Sequence, residues 1–306
     1  MSTKTVIIIV GPTAVGKTSL SVSLAKHFNT EIISADSRQC FKELNIGVAK
    51  PTIEEQQNIP HHFISSHAIN DFITAADFET YALEKLEEIF RSKDTAIVIG
   101  GTGLYIKALM YGFDNIPEVP QLVREDVQEL YQHSGLEALK TALITEDPEY
   151  ARTGEMLNPQ RMMRALEVKR ASGYSIRHFQ QAFRTKRNFR MIELGLELPR
   201  ETLYDKINRR VDEMIRSGLQ QEVRDLYSSR NLNALQTVGY RELFDQMEGR
   251  LTIDEAINKI KQNTRHYAKR QMTWFKADPV ITWFHPEELE KIIEFLDKEI
   301  GPPKNE

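Results

Sequence analysis

Val6-Ile7-Ile8-Ile9-Val10 runs straight into Gly11-Pro12-Thr13-Ala14-Val15-Gly16-Lys17-Thr18, and this stretch decides the fold. Five apolar residues without polar alternation predict a strand buried on both faces, as in a parallel sheet covered by helices. The eight residues that follow match G-x-x-x-x-G-K-[ST], a loop whose backbone N–H groups converge on phosphate oxygens. Next, Ser19 to Phe28 sets Leu20, Leu24 and Phe28 on one helical face. Strand, loop and helix thus come in the order that lets a helix N-terminus face a phosphate. Lys17 supplies a point charge for the terminal phosphate, and the Thr18 hydroxyl is the expected Mg²⁺ ligand. A di- or polyphosphate ligand is the expectation.

Working outward, Glu31 to Ala35 and Thr95 to Ile99 read as further short strands, and Ala75 to Phe90 as an amphipathic helix between them. Strands alternating with helices predict an α/β fold with a P-loop-containing parallel sheet core. The pattern changes near Gly112: Asn115 to Pro120 is turn-rich, and helical periodicity follows at 121–132, 135–143 and 159–172. Strand periodicity returns at Arg190 to Leu198, and helices follow at 201–230, 240–248, 253–277 and 286–300. The expected domains are a P-loop α/β core from 1–112 and 189–306, C-terminal helices included, and a helical insertion at 113–188. Trp274, Phe275 and Trp283 read as core. The adjacent His61 and His62 read as structural, since neighbouring side chains face apart and no third metal ligand is evident.

Composition narrows the function. With 306 residues, 41% hydrophobic, the chain can build ordinary cores, and one cysteine, Cys40, allows neither an intramolecular disulfide nor a multi-cysteine metal site. The apolar run at Val6 is too short for a signal-peptide core or a membrane span. A cytoplasmic monomer, with no membrane association and no obligate protein partner, is expected. The net charge of −4 argues against a protein that coats nucleic acid. The average hides structure, however. Residues 111–150 hold 2 basic and 9 acidic side chains, and residues 151–190 hold 10 and 2. Such a basic block is either a solvated helix face or a local polyanion-binding surface.

A phosphate loop does not by itself make an NTPase. The strand at Thr95 to Ile99 ends in Gly100-Gly101-Thr102-Gly103, without the acid that usually holds a magnesium shell. Asp36, after the second strand, could serve a metal, act as a general base, or simply cap a turn.

Several ordered motifs together resemble the tRNA dimethylallyltransferases, or tRNA isopentenyltransferases, over about residues 5–285. They are GPTAVGKT at 11–18, ISADSRQCF at 33–41, IGVAKP at 46–51, HHF at 61–63 and AADF at 75–78. GGTGLY at 100–105, NPQRMMRALEV at 158–168, VGYREL at 238–243 and TRHYAKRQMTWF at 264–275 complete the set. No C-terminal Cys/His zinc finger is present, so the bacterial type is expected.

The resemblance implies transfer of a dimethylallyl group from dimethylallyl diphosphate to N6 of the adenosine 3′ of the anticodon in tRNA. The phosphate loop, Gly11, Pro12, Thr13, Ala14, Val15, Gly16, Lys17 and Thr18, would then hold the prenyl donor's diphosphate, not ATP, with Mg²⁺ at Thr18. By motif position Asp36 matches the family's general base, Thr13 a donor contact and Arg210 an arginine that stabilises the departing diphosphate, with Lys17 beside them. Contacts to the tRNA anticodon stem-loop fall on Asp36, Ser37, Arg38 and Gln39, on Thr102 and Arg124, and on Gln160, Arg161, Met162, Met163 and Arg164. A last stretch comprises Gln236, Thr237, Val238, Gly239, Tyr240 and Arg241. The basic block, with Arg265, Lys269 and Arg270, is expected along the RNA backbone. Three rivals are a P-loop small-molecule kinase, a prenyltransferase acting on free adenine nucleotides, and an RNA-binding module with a vestigial loop.

Overall fold

The computed structural model describes residues 4–112, 116–180 and 185–301. The chain divides into two compact units: residues up to Met110 with those from Arg187 on, and Tyr111–Lys186. The expected insertion at 113–188 has its edges close to this division. Residues 113–115 and 181–184, near both edges, lie outside the described residues.

The first unit is built on six parallel strands, β1 (Thr5–Val10), β2 (Ile32–Ser34), β3 (His61–His62), β4 (Thr95–Gly100), β5 (Arg190–Leu196) and β6 (Thr282–Phe284), in the order β3-β2-β4-β1-β5-β6. The unbroken apolar runs of β1 and β4 are fully buried because helices cover both faces. Their register sets Val10 beside Gly100 and Gly195. The loops after β1, β2 and β4 therefore leave the sheet at one edge, where the strand order reverses and ligand crevices form in such sheets.

One face of the sheet packs Ile7, Ile9, Leu194 and Leu196 against Leu20 and Leu24 of helix Lys17–His27, Leu203 and Ile207 of helix Arg200–Arg216, and Leu296 of helix Leu289–Ile300. The region read as one helix over 201–230 breaks at Gly218 into Arg200–Arg216 and Leu219–Asp225. The edge strands β3 and β6, two and three residues long, are additions to the sequence reading.

The second unit is helical: Gln121–Glu146, Pro148–Thr153, Pro159–Ser172 and Ile176–Phe179. Gly135, at φ 70° and ψ −164°, interrupts the first helix between the two stretches the periodicity separated. Val127, Leu139, Leu143, Tyr150, Met162, Met163, Leu166 and Ile176 form a core of the unit's own. The acidic and basic blocks meet here. Arg170 pairs with Glu146 at 2.6 Å and Asp126 at 2.5 Å, so part of the basic block is neutralised by the acidic helix before it. Among the described residues, no helix is long and apolar enough to cross a membrane.

Candidate active site

Loop 11–16 bends in a way few sequences permit. Ala14 and Gly16 have φ of 65° and 111°, left-handed values that open the loop's amides toward one side. At Gly11 a Cβ would lie 2.7 Å from the Leu196 carbonyl oxygen of β5, so the neighbouring strand allows no side chain there. Lys17, at the start of its helix, folds back and donates to the carbonyls of Gly11 (3.0 Å) and Pro12 (2.8 Å). Desolvation, reinforced by the nearby Arg210 charge and opposed by Asp36, lowers its ammonium to about 7.

Thr13 is held twice. Its N–H donates to Gln271 Oε1 at 2.9 Å, and its hydroxyl accepts from Arg210 Nη1 at 3.2 Å. Arg210 projects from helix Arg200–Arg216, and burial pulls its guanidinium below the usual range while Asp36 works against that. Asp36 follows β2. Its Oδ1 accepts from the amides of Arg38 (2.9 Å) and Gln39 (3.2 Å), an Asx-type turn that fixes the carboxylate. Beside it, Ser37 N–H donates to the Thr102 hydroxyl at 3.2 Å, tying the loop after β2 to the turn after β4.

Two cavities open here. The larger, about 570 Å³, is lined by the phosphate loop, Gly100, Gly101, Lys206, Arg209, Arg210 and Gln271. The smaller, about 320 Å³, is lined by Ser37, Arg38, Gly47 to Ala49, Gln236 to Gly239, Arg241 and Arg270. Thr13, Asp36, Val48, Arg210 and Tyr267 belong to the walls of both. The cavity beside the phosphate loop and a second recess therefore share a carboxylate, an arginine and a threonine.

The residues that the resemblance assigned to RNA separate by environment. Asp36, Ser37, Arg38, Gln236, Thr237, Val238, Gly239 and Arg241 line the second cavity. Arg38 is braced on Asn233, donating to its carbonyl at 2.8 Å. Tyr240 is fully buried, so it acts from behind. Its hydroxyl donates to Glu222 Oε1 at 2.6 Å, and burial next to that carboxylate pushes the phenol far up. Glu222 also accepts from the amides of Asn45 (3.1 Å), Ile46 (2.8 Å) and Gly47 (2.9 Å), clasping the loop that floors the second cavity.

Arg124, Gln160, Arg161, Met162, Met163 and Arg164 belong to the second unit. Met162 and Met163 are buried in that unit's core and do not offer their side chains to a ligand, whereas Gln160 and Arg161 are exposed. Asn158 caps their helix by accepting from the amides of Gln160 and Arg161. Arg124 Nε is buried without a partner among the described residues.

Sequence reasoning missed Glu222, Tyr267 and Gln271, whose signals were slight: an isolated acid, and polar residues on a helix. Trp274 is 45% exposed, not core as expected, and its indole packs so closely on Gly103 that a side chain there would collide with it. Trp283 is half-buried on edge strand β6, with Lys276 Nζ 4.2 Å above its ring. His62 pairs with Glu31 at 2.6 Å and His61 Nδ1 with the Ile59 carbonyl at 2.8 Å, while His61 lines the larger cavity and its Nε2 is buried without a partner among the described residues. Among the described residues, no group of three His, Cys, Asp or Glu side chains gathers for a metal.

Fold and site together define a P-loop α/β enzyme with a divided cleft. Residues 39–278 match the family model described as IPP transferase. A tRNA dimethylallyltransferase of Cytophaga hutchinsonii is 46% identical, with 97% of this chain and 98% of that one aligned. Another, of Flavobacterium johnsoniae, is 47% identical over 92% and 93%. The solved tRNA isopentenylpyrophosphate transferase of Bacillus halodurans is similar with a TM-score of 0.72 at 36% identity, over 97% of each chain. A eukaryotic dimethylallyltransferase described as acting on tRNA reaches 0.78 at 25% identity, over 99% of this chain and 81% of that one. The chain belongs to the IPP transferase family, that of the tRNA dimethylallyltransferases, and is a prenyltransferase.

Proposed function

We propose that the enzyme transfers a dimethylallyl group from dimethylallyl diphosphate to N6 of the adenosine 3′ of the anticodon in tRNA, in the cytoplasm. The supporting observation is the pair of cavities with Thr13, Asp36 and Arg210 in common. The larger takes the donor, its diphosphate against the loop amides and Lys17. The smaller takes the acceptor base, which must leave its stack to be alkylated. A nucleotide-sized acceptor would not need the helical insertion and the basic block of residues 151–190, and the relatives that speak against a kinase are dimethylallyltransferases.

In the transfer, the bond between the prenyl C1 and the diphosphate oxygen breaks as N6 bonds to C1. The departing pair of electrons goes to the diphosphate, where Lys17, Arg210 and the loop amides stabilise the charge. The exocyclic nitrogen is a weak nucleophile because its lone pair is delocalised. Asp36 accepts its proton, aligned by the amides of Arg38 and Gln39. Thr18 lines the donor cavity, and its lone hydroxyl suits Mg²⁺, which keeps several waters and leans on substrate phosphates. Bound there, the ion would neutralise charge on the leaving group. The phosphate loop would not take ATP as a phosphoryl donor.

The test is labelled dimethylallyl diphosphate offered with an anticodon stem-loop, AMP or ATP, using the wild type, Asp36→Ala and Lys17→Ala. Label should enter only the stem-loop, and both substitutions should nearly abolish it. Label in AMP but not in the stem-loop would overturn the acceptor, and full turnover by Asp36→Ala would remove the base.

A further inference from the structure

Gln271 stands on helix Ile253–Lys276, capped at its start by Thr252 and Glu255, and its side chain is buried. It uses both ends of its amide. Oε1 accepts from Thr13 N–H at 2.9 Å, and Nε2 donates to the Gly101 carbonyl at 3.0 Å. A backbone N–H can only donate and a carbonyl can only accept, so these partners allow one orientation of the amide. The fit is close on the Gly101 side, where a Cβ would lie 2.1 Å from Gln271 Nε2.

Each partner leads to one half of the chemistry. Thr13 carries the hydroxyl that accepts from Arg210, on the leaving-group side. Gly101 precedes Thr102, whose hydroxyl holds the Ser37 amide beside Asp36, on the acceptor side. The phosphate loop and the turn after β4 are thus pegged to one side chain on a third element. No hydrogen bond among the described residues runs directly between the two loops.

We infer that Gln271 is a positioning residue of the transfer reaction: it sets the spacing between the groups that receive the diphosphate's charge and the carboxylate that receives the proton. The inference rests on the transfer reaction proposed above. Its cost when lost should appear in turnover, because misplacing reacting groups by about 1 Å can slow a reaction on the order of 100-fold. Ground-state binding of the donor relies on Lys17 and the loop amides other than that of Thr13, the one amide Gln271 occupies.

The experiment compares the wild type, Gln271→Met, Gln271→Glu, Thr13→Ala and the Gln271→Met/Thr13→Ala double variant, with dimethylallyl diphosphate and an anticodon stem-loop, from pH 5.5 to 8.5. Gln271→Met keeps volume and loses both bonds. Its kcat should fall about 30- to 300-fold with the donor KM within about threefold. The double variant should lose less than the product of the two single losses, since part of the effect of Gln271 passes through Thr13.

Gln271→Glu supplies a readout that a filler role would not move. Its carboxylate would face the Gly101 carbonyl as a second acceptor, whereas its protonated form donates there as the amide does. The ratio of its kcat to the wild type's should therefore rise as pH falls. A Met variant within threefold of wild-type kcat, fully additive losses, or a flat Glu-to-wild-type ratio would each overturn the inference. A wild type that fails to prenylate the stem-loop would instead overturn the reaction itself.

Discussion

Replacing Glu193 by glutamine should stabilise the first unit at neutral pH and leave it nearly unchanged at pH 4. Glu193 lies in the middle of β5, opposite Ile8 of β1, and is only 8% exposed. It alternates with Ile192 and Leu194, which join the core on one face, so it points to the other. Its carboxyl accepts no hydrogen bond among the described residues. Burial, with the charge of Asp278 nearby, raises its carboxyl from 4.5 to about 7.

The sign follows from proton counting. Between 4.5 and 7 the folded chain binds more protons here than the unfolded chain, so stability falls as pH rises through that window. Below 4.5 the group costs nothing, and above 7 the penalty is complete. At 1.36 kcal/mol per pH unit the full cost is about 3 kcal/mol, nearer 2 where solvent reaches the carboxyl. Both tryptophans, Trp274 and Trp283, lie in this unit, and Trp283 pairs with Gly195 two residues along β5. Urea unfolding followed by tryptophan fluorescence therefore reads it without interference from the helical unit. Glu193→Gln should gain about 2 kcal/mol over wild type at pH 8 and about 0 at pH 4, and Asp278→Asn should recover part of that gain. An equal effect at both pH values would refute the reasoning, because it would mean the carboxyl is not the group that titrates.

Asp36→Asn keeps an oxygen for the Arg38 and Gln39 amides but cannot accept a proton. Its kcat with the stem-loop should fall about 10²- to 10⁴-fold, with melting temperature unchanged. Glu222→Ala leaves three amides and the buried Tyr240 hydroxyl without their acceptor, at about 2–4 kcal/mol, and frees the floor of the second cavity. It should lower urea stability by that amount and raise the RNA KM more than the donor KM. Arg170→Met should cost the helical unit about 1 kcal/mol at low salt and less at 1 M salt, read by circular dichroism during urea unfolding.

What could be read in advance was whatever one local interaction dictates. β1 and β4 are unbroken apolar runs, β5 has apolar residues around Glu193, and the phosphate loop needs glycine at 11 and 16 for reasons of backbone alone. β3 was unreadable because its two residues, His61 and His62, are polar and owe their strand geometry to pairing with Ile32 and Ile33. Gln271 was unreadable for a related reason. An amide in a charged helix is unremarkable until folding brings Thr13 and Gly101 to it. Tyr267, Gln271 and Trp274 do fall at i, i+4 and i+7, one helical face, and that spacing was the available sign. The buried pair Met162 and Met163 shows the converse. A motif marks a stretch, and only packing decides which of its side chains face out.

The basic block makes the same point for electrostatics, and salt dependence can measure it. If the 10 basic side chains of residues 151–190, with Arg265, Lys269 and Arg270, all met phosphates, the logarithm of tRNA affinity would fall against that of salt with a slope of roughly −9 to −12. Folding spends many of them. Arg170, Arg187 and Arg190 pair with carboxylates, and Arg164 lies 3.5 Å from Glu167. Lys169, Arg177 and Arg265 donate to Gly173, Thr153 and Asn208. Arg152, Arg161, Lys186, Lys269 and Arg270 carry no ion pair among the described residues, and Arg184 lies outside them. Five such cations give a slope of about −3 to −5. Titrating a fluorescent stem-loop from 50 to 300 mM salt distinguishes the two counts. A slope of −9 or steeper would mean that the internal pairs open to serve the RNA, and a flat line would mean that this block is a solvated face.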